Sequence, residues 1–117
     1  MTVRAQKVWE EVDIVAGYHT YINLVLPFIG DKKVVATGMR QEIDRCREVV
    51  KLALEGHSVA LVSSGDAGIY GMAGILIECL QEAECIDLPL EIIPGVTAAN
   101  AAASQLGAPL MHDFAVI

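Results

Sequence analysis

The sequence predicts an α/β domain, a mainly parallel sheet with helices on both faces, and three observations carry that prediction. Short runs of Val, Ile and Ala alternate with stretches of helical periodicity along the chain, the pattern of parallel strands joined by right-handed crossovers. Of the 117 residues 54% are apolar and only 5% aromatic, which suits a packed sheet-and-helix core and excludes a disordered chain. Third, Val59-Ala60-Leu61-Val62 runs straight into Ser63-Ser64-Gly65-Asp66-Ala67-Gly68-Ile69-Tyr70-Gly71-Met72-Ala73-Gly74. A strand that breaks into serine, glycine and aspartate and resumes as a helix is where open α/β sheets bind ligands. The length allows a single domain, 1–117.

In order, Thr2 can cap a first helix through about Glu11, with Ala5, Val8, Trp9 and Val12 at 3- and 4-residue steps. Asp13 to Ala16 reads as a short buried strand ending at Gly17, with Tyr18-His19-Thr20-Tyr21 at its carboxyl end. Tyr21, Leu24, Val25 and Phe28 form a second helical stripe that Pro27 and Gly30 close, and Lys33 to Ala36 is the next strand. From about Gln41 to Glu55 the pattern is strongly helical, with Ile43, Cys46, Val49, Val50, Ala53 and Leu54 on the inner face and Gly56 as the stop. Glu42, Arg45, Glu48 and Lys51, with Arg47, read as a solvated outer face carrying weak ion pairs. A strand over Ser58 to Val62 precedes the glycine loop, and a helix over about Tyr70 to Glu82 follows it. Ala83 to Asp87 is a surface connection, and Leu90-Glu91-Ile92-Ile93 is a further strand closed by Pro94-Gly95. Val96 to Ala103 is a small-residue helix ending near Gly107, and Phe114 to Ile117 reads as the start of one more strand.

A net charge of −7 disfavours a nucleic-acid partner, which needs clustered Lys and Arg. Cys46, Cys79 and Cys85 are odd in number and stand at no metal-ligand spacing with His19, His57 or His112, so they read as reduced thiols with no metal. No apolar run is long enough for a spanning helix or placed as a signal peptide, so no membrane and a cytoplasmic address are expected. The glycines carry neither a phosphate-loop Lys-Ser or Lys-Thr pair nor Gly-x-Gly-x-x-Gly, and Gly-x-Ser-x-Gly is absent around Ser63 and Ser64. Asp66 can pin its own loop through an amide or offset a cationic ligand, and Thr97 can cap the helix that follows it.

The residues that remain carry a family resemblance. Gly17-Tyr18 with Tyr21, Thr37-Gly38-Met39-Arg40-Gln41-Glu42-Ile43, Ser63 to Ala73, Ile93-Pro94-Gly95-Val96-Thr97-Ala98-Ala99-Asn100-Ala101, and Gly107-Ala108-Pro109-Leu110 with His112-Asp113-Phe114 resemble the tetrapyrrole (corrin and porphyrin) methyltransferases. The Thr-Gly-Met-Arg and Gly-Asp-Ala-Gly-Ile-Tyr-Gly wordings are those of the precorrin-3B C17-methyltransferase branch of cobalamin biosynthesis. The resemblance implies methyl transfer from S-adenosyl-L-methionine to ring carbon 17 of a tetrapyrrole, with ring contraction. It implies donor contacts at Ser64, Gly65, Asp66, Ile69, Thr97 and Ala98. Relatives that methylate uroporphyrinogen carry an acid and a lysine where this chain has Tyr18 and Met39, so that acid-base scheme does not carry over. Tyr18, Tyr21, Met39 and Arg40 remain as substrate-side candidates, because Arg40 can grip a peripheral carboxylate and Tyr18 can move a proton; no catalytic residue is assigned.

The resemblance further implies that this is the first half of such an enzyme without its first strand, a half unable to turn over alone. In the family's sheet order, 3-2-4-1-5 along a complete chain, that strand would lie between Ser58 to Val62 and Leu90 to Ile93. The gap would close directly, be filled by Phe114 to Ile117, or be filled by a second copy of the chain, and the homodimer is the preferred expectation because exposed edges recruit strands. The alternative function is a non-catalytic α/β module that binds a nucleotide-like ligand or serves assembly.

Overall fold

The structure, a computed structural model, describes residues 1–115. Three parallel strands stand in the order β2-β1-β3, with β1 at Ile14–Tyr18, β2 at Lys33–Thr37 and β3 at Val59–Leu61. Ile14, Val15 and Ala16 face Lys33, Val34 and Val35 on one side and Val59, Ala60 and Leu61 on the other. That order is the 3-2-4 part of the sheet the resemblance implied. Parallel strands buried on both faces need apolar residues at successive positions, and β1 answers with Ile14, Val15, Ala16 and Gly17, all buried.

Each sheet face receives a helix pair. The first face packs Val15, Ala36 and Ala60 against α1 (Val3–Glu11) and α2 (His19–Ile29), through Val8, Trp9, Val12, Ile22, Val25 and Ile29. The second face packs Ala16, Val35, Val59 and Leu61 against α3 (Glu42–Leu54) and α4 (Ala73–Glu82), through Cys46, Val49, Val50, Leu76, Cys79 and Leu80. A fifth helix, α5 (Ala98–Gln105), is mostly exposed. Thr2 caps α1 by accepting from the Ala5 N–H at 3.2 Å, and Thr97 caps α5 by accepting from the Asn100 N–H at 3.2 Å. Each such cap contributes about 1 kcal/mol. Cys46 and Cys79 are buried and Cys85 half-buried. Burial, then the neighbouring Cys79, pushes the Cys46 thiol up to about 12, so it is an inert packing group at neutral pH.

Several expectations need correction. The α2 stripe is shifted: Leu24 and Phe28 are exposed, Ile22, Val25 and Ile29 are buried, and Pro27 lies inside the helix rather than closing it. Leu90 to Ile93 forms no strand. A strand exists only as one side of a ladder, and no strand lies beside this segment to complete one. It is extended chain between Pro89 and Pro94, tied to α1 by Arg4, which bonds Glu91 from Nε at 2.8 Å and Glu11 at 2.9 Å. Direct closure of the gap beside β3 therefore does not occur. A cleft of about 660 Å³ runs there instead, between β3 and residues 89–96, flanked by Ala5, Val8 and Trp9 of α1 and by Ala73 and Leu76 of α4.

The inner face of α3 is rotated from the predicted stripe: Ile43 and Leu54 are exposed, whereas Arg45 and Leu52 are buried. Arg45 is thus no part of a solvated face, although Arg47 and Lys51 are, with loose contacts to Glu82 at 3.7 Å and Glu48 at 3.6 Å. The helix after the glycine loop begins at Ala73 rather than Tyr70, because Tyr70 has a φ of 54° that no α-helix accepts. Of the expected last strand, Phe114 and Ala115 are exposed and outside any strand, and Val116 and Ile117 lie outside the described residues.

Candidate functional site

The carboxyl ends of all three strands open onto one edge of the sheet, and each ends in a segment singled out by the sequence. β1 ends at Tyr18, β2 at Thr37, and β3 runs through Val62 into the loop that starts at Ser63. Val62 still belongs to the sheet edge, since its N–H donates to the Ala16 carbonyl at 2.8 Å.

The glycine loop is folded on itself before it meets any ligand. Ser63 Oγ accepts from the Met72 N–H at 3.3 Å, the Ile69 N–H donates to the Asp66 carbonyl at 3.2 Å, and the Ala73 N–H donates to the Ala67 carbonyl at 3.0 Å. This last bond draws Gly71 so close to Ala67 that a Cβ at 71 would overlap the Ala67 carbonyl. Asp66 spends both carboxylate oxygens on main-chain donors, Oδ1 on the Gly68 N–H at 2.8 Å and Oδ2 on the Gly95 N–H at 2.9 Å. The Gly95 bond first, and the Gly68 bond second, hold the Asp66 carboxyl below the usual carboxylate range.

The second of those bonds joins two segments 29 residues apart. It sets the Pro94-to-Ala98 turn against the glycine loop so tightly that a Cβ on Gly95 would overlap the Gly65 carbonyl oxygen. A Cβ on Gly65 would in turn lie 3.5 Å from the Val96 carbonyl oxygen and 3.9 Å from the Ala98 nitrogen. Ser64, Gly65, Asp66, Thr97 and Ala98 therefore form one continuous wall of main-chain groups and small side chains, with Ile69 on its exposed side. Thr97 is half-buried and its hydroxyl is engaged in the α5 cap.

The substrate-side candidates stand apart from this wall. Tyr18 and Tyr21 meet edge to face with ring centroids 5.4 Å apart, at the start of α2. Met39 and Arg40 occupy the turn after β2, both exposed, Arg40 with a φ of 62°. The Gly38 N–H donates to Gln41 Oε1 at 2.9 Å and steadies that turn. No hydrogen bond or ion pair among the described residues joins Tyr18, Tyr21, Met39 or Arg40 to the glycine loop. The link that does exist runs through Arg45, which bonds Thr37 and Gly38 and reaches Met72. Sequence reasoning missed it, although the 45-49-52 row, Arg45-Val49-Leu52, carries the signal of an inward-facing position.

A wall of this kind can cradle a folded small molecule by backbone contacts. With its single carboxylate committed to amides, the geometry suits a ligand recognised by shape and main-chain polarity rather than by a strong charge.

The chain matches the family described as Tetrapyrrole (Corrin/Porphyrin) Methylases over residues 1–117. It is 54% identical over 114 residues to a probable cobalt-factor III C(17)-methyltransferase of Salmonella typhimurium, covering 97% of this chain and 47% of that protein. It is 40% identical over 103 residues to a precorrin-3B C(17)-methyltransferase of a Sinorhizobium species, covering 86% of this chain and 40% of that protein. A solved structure, that of the methyltransferase CobJ, superposes with a TM-score of 0.91 at 37% identity, over 100% of this chain and 49% of that one. The chain thus spans about half, or less, of the length of these relatives. By its match over residues 1–117, which spans the glycine loop, the Pro94-to-Ala98 turn and all three strands, this chain belongs to the tetrapyrrole (corrin/porphyrin) methylase family.

Proposed function

We propose that this chain contributes the donor-binding wall of an S-adenosyl-L-methionine-dependent methyltransferase acting on carbon 17 of a tetrapyrrole, with ring contraction, in cobalamin biosynthesis. The observation that carries the reading is the fastening of the Ser63-to-Ala73 loop to Gly95 by Asp66, in a chain that shares 54% identity with a probable cobalt-factor III C(17)-methyltransferase. The wall suits the donor: a Cβ built on Gly65 would stand 3.5 Å from the Val96 carbonyl oxygen and 3.9 Å from the Ala98 nitrogen, so main-chain groups line this approach.

The bound donor supplies an electrophilic methyl on a sulfonium. The chain's part is alignment. Ser64, Gly65, Thr97 and Ala98 hold the donor by main-chain groups, Ile69 shields it, and Asp66 keeps the two loops at a fixed separation. In-line transfer depends on such placement at about 3 to 3.5 Å in a dry site more than on a strong base. Tyr18, Tyr21, Met39 and Arg40 face the macrocycle, with Arg40 free to take a peripheral carboxylate. The half-length span relative to the relatives supports a wall that needs an opposing domain for turnover.

The cleft beside β3 supports a second element of the proposal. Its edge, flanked by helices on both faces, is the setting in which another strand pairs, and a second copy of the chain supplies it. A single monodisperse monomer in sedimentation would sink that part. The chain's described helices include none long and apolar enough to cross a membrane.

Calorimetric titration with S-adenosyl-L-methionine, S-adenosylhomocysteine and ATP tests the donor site. Binding of the first two, and its loss in Asp66→Ala, is expected. Binding of ATP alone would replace this reading with that of a non-catalytic nucleotide-binding module.

A further inference from the structure

Among the described residues Arg45 is the one charged side chain that is buried, at 3% exposure. No carboxylate partners it: the ion pairs among these residues involve Arg4, Arg47 and Lys51. Its guanidinium instead donates from Nε to Thr37 Oγ1 at 2.6 Å and from Nη2 to the Gly38 carbonyl oxygen at 3.0 Å, while Nη1 lies 3.7 Å from the Met72 sulfur. Thr37 and Gly38 open the Met39-Arg40 turn, and Met72 closes the glycine loop at the start of α4. One cation thus touches two loops, and its farthest contact, Met72, lies 27 residues along the chain from Arg45 itself.

We propose that Arg45 is a positioning residue that couples the Thr37-to-Gln41 turn to the Ser63-to-Ala73 loop, so that the two shift together. The argument is one of unequal bonds. A guanidinium is a planar fork that cannot lose its charge, and a buried N–H stripped of its oxygen acceptor has no water to turn to. Arg45 must therefore follow Thr37 and Gly38. Its third contact is to a thioether, a weak and polarizable acceptor on a flexible side chain. Movement of the turn is passed to Met72, and from there to the Ser63 hydroxyl that accepts from the Met72 N–H. The functional consequence rests on the donor assignment above: a macrocycle settling on the turn would adjust the wall that holds the donor.

Hydrogen exchange by mass spectrometry on the ligand-free chain tests the coupling, with Arg45→Lys, Thr37→Val and, as a control, the exposed neighbour Arg47→Lys. Arg45→Lys keeps the charge and loses the fork; Thr37→Val removes one acceptor and leaves Arg45 in place, so the test stands even if the first variant does not fold. The expected result is exchange faster by about tenfold in both the 37–41 and the 65–73 amides, with the β1 amides unchanged and the control silent. Acceleration confined to 37–41, or spread equally through β1, would overturn the proposal, since each describes packing without coupling. Titration of the same variants with S-adenosylhomocysteine should show affinity weakened about fivefold. Unaltered affinity in both variants, against a binding wild type, overturns the functional consequence. A wild type that binds no S-adenosylhomocysteine overturns the donor assignment instead and leaves the exchange result to judge the coupling.

Discussion

Along one edge of β3, Val59, Ala60 and Leu61 meet Ile14, Val15 and Ala16 in a parallel ladder; along the other, Leu90, Glu91, Ile92 and Ile93 face them across a cleft and bond to nothing in the sheet. Both flanking sequences carry two β-branched residues, Ile14 and Val15 on one side and Ile92 and Ile93 on the other, and apart from Glu91 both are apolar. What separates them is the presence of a neighbour at ladder distance, because strand propensity measures fit to an existing pleated surface and not a preference of the isolated segment. The open flank keeps its place by other means: Thr2 and Arg4 hold it from α1, and Asp66 holds it from the glycine loop.

Substitutions can break or sharpen this contrast. The largest effect belongs to Gly95→Val, which forces the open flank off the glycine loop. It should destabilise the chain by about 3 kcal/mol in urea denaturation and abolish binding of S-adenosylhomocysteine. On the closed flank, Val15→Ala empties a site of 0% exposure and should cost about 2 kcal/mol by the same measurement. Its counterpart on the open flank, Ile92→Ser at 46% exposure, should change stability by no more than about 0.5 kcal/mol. A cost for Ile92→Ser equal to that of Val15→Ala would mean that the cleft is packed shut in solution.

Acid should act on the open flank alone. The Asp66 carboxyl is lowered from its ordinary 3.8 by the Gly95 and Gly68 amides, and Glu91 is lowered from 4.5 by Arg4. Groups depressed in the folded state contribute stability that is whole above their unfolded values and is lost as the pH falls through the folded ones. Protection factors of the 95–98 amides should therefore fall below about pH 4 while those of the β1–β2 amides hold, and Asp66→Asn should remove most of that dependence. An acid response equal in both flanks would place the sensitive groups elsewhere.

Much of this was legible in the sequence, and the misses share a cause. The positions of the helices came through because caps are local, and so did the α1 stripe: Thr2, Thr97 and the Val8-Trp9-Val12 row need no distant partner to be read, whereas the buried faces of α2 and α3 are set by the sheet they pack on. β1, β2 and β3 came through because each has its neighbour within this chain. Leu90 to Ile93 failed because its state depends on what lies beside it. Arg45 failed because charge was weighed above position, when the oxygens of Thr37 and Gly38 wait for it in the core. The resemblance pointed to Ser64, Gly65, Thr97 and Ala98, but nothing in the sequence shows that Gly95 touches Gly65, an approach of two backbones separated by 29 intervening positions.

That approach bears on how functional maps of this family are to be interpreted. Gly71 and Gly95 have no room for a methyl group, so a saturation scan scored by activity will flag them as intolerant of every replacement, as severely as any group that handles substrate. Neither has a side chain to offer chemistry. Their intolerance marks the seams at which the pocket is sewn together, and a ranking of positions by sensitivity alone would mistake the stitching for the reagent.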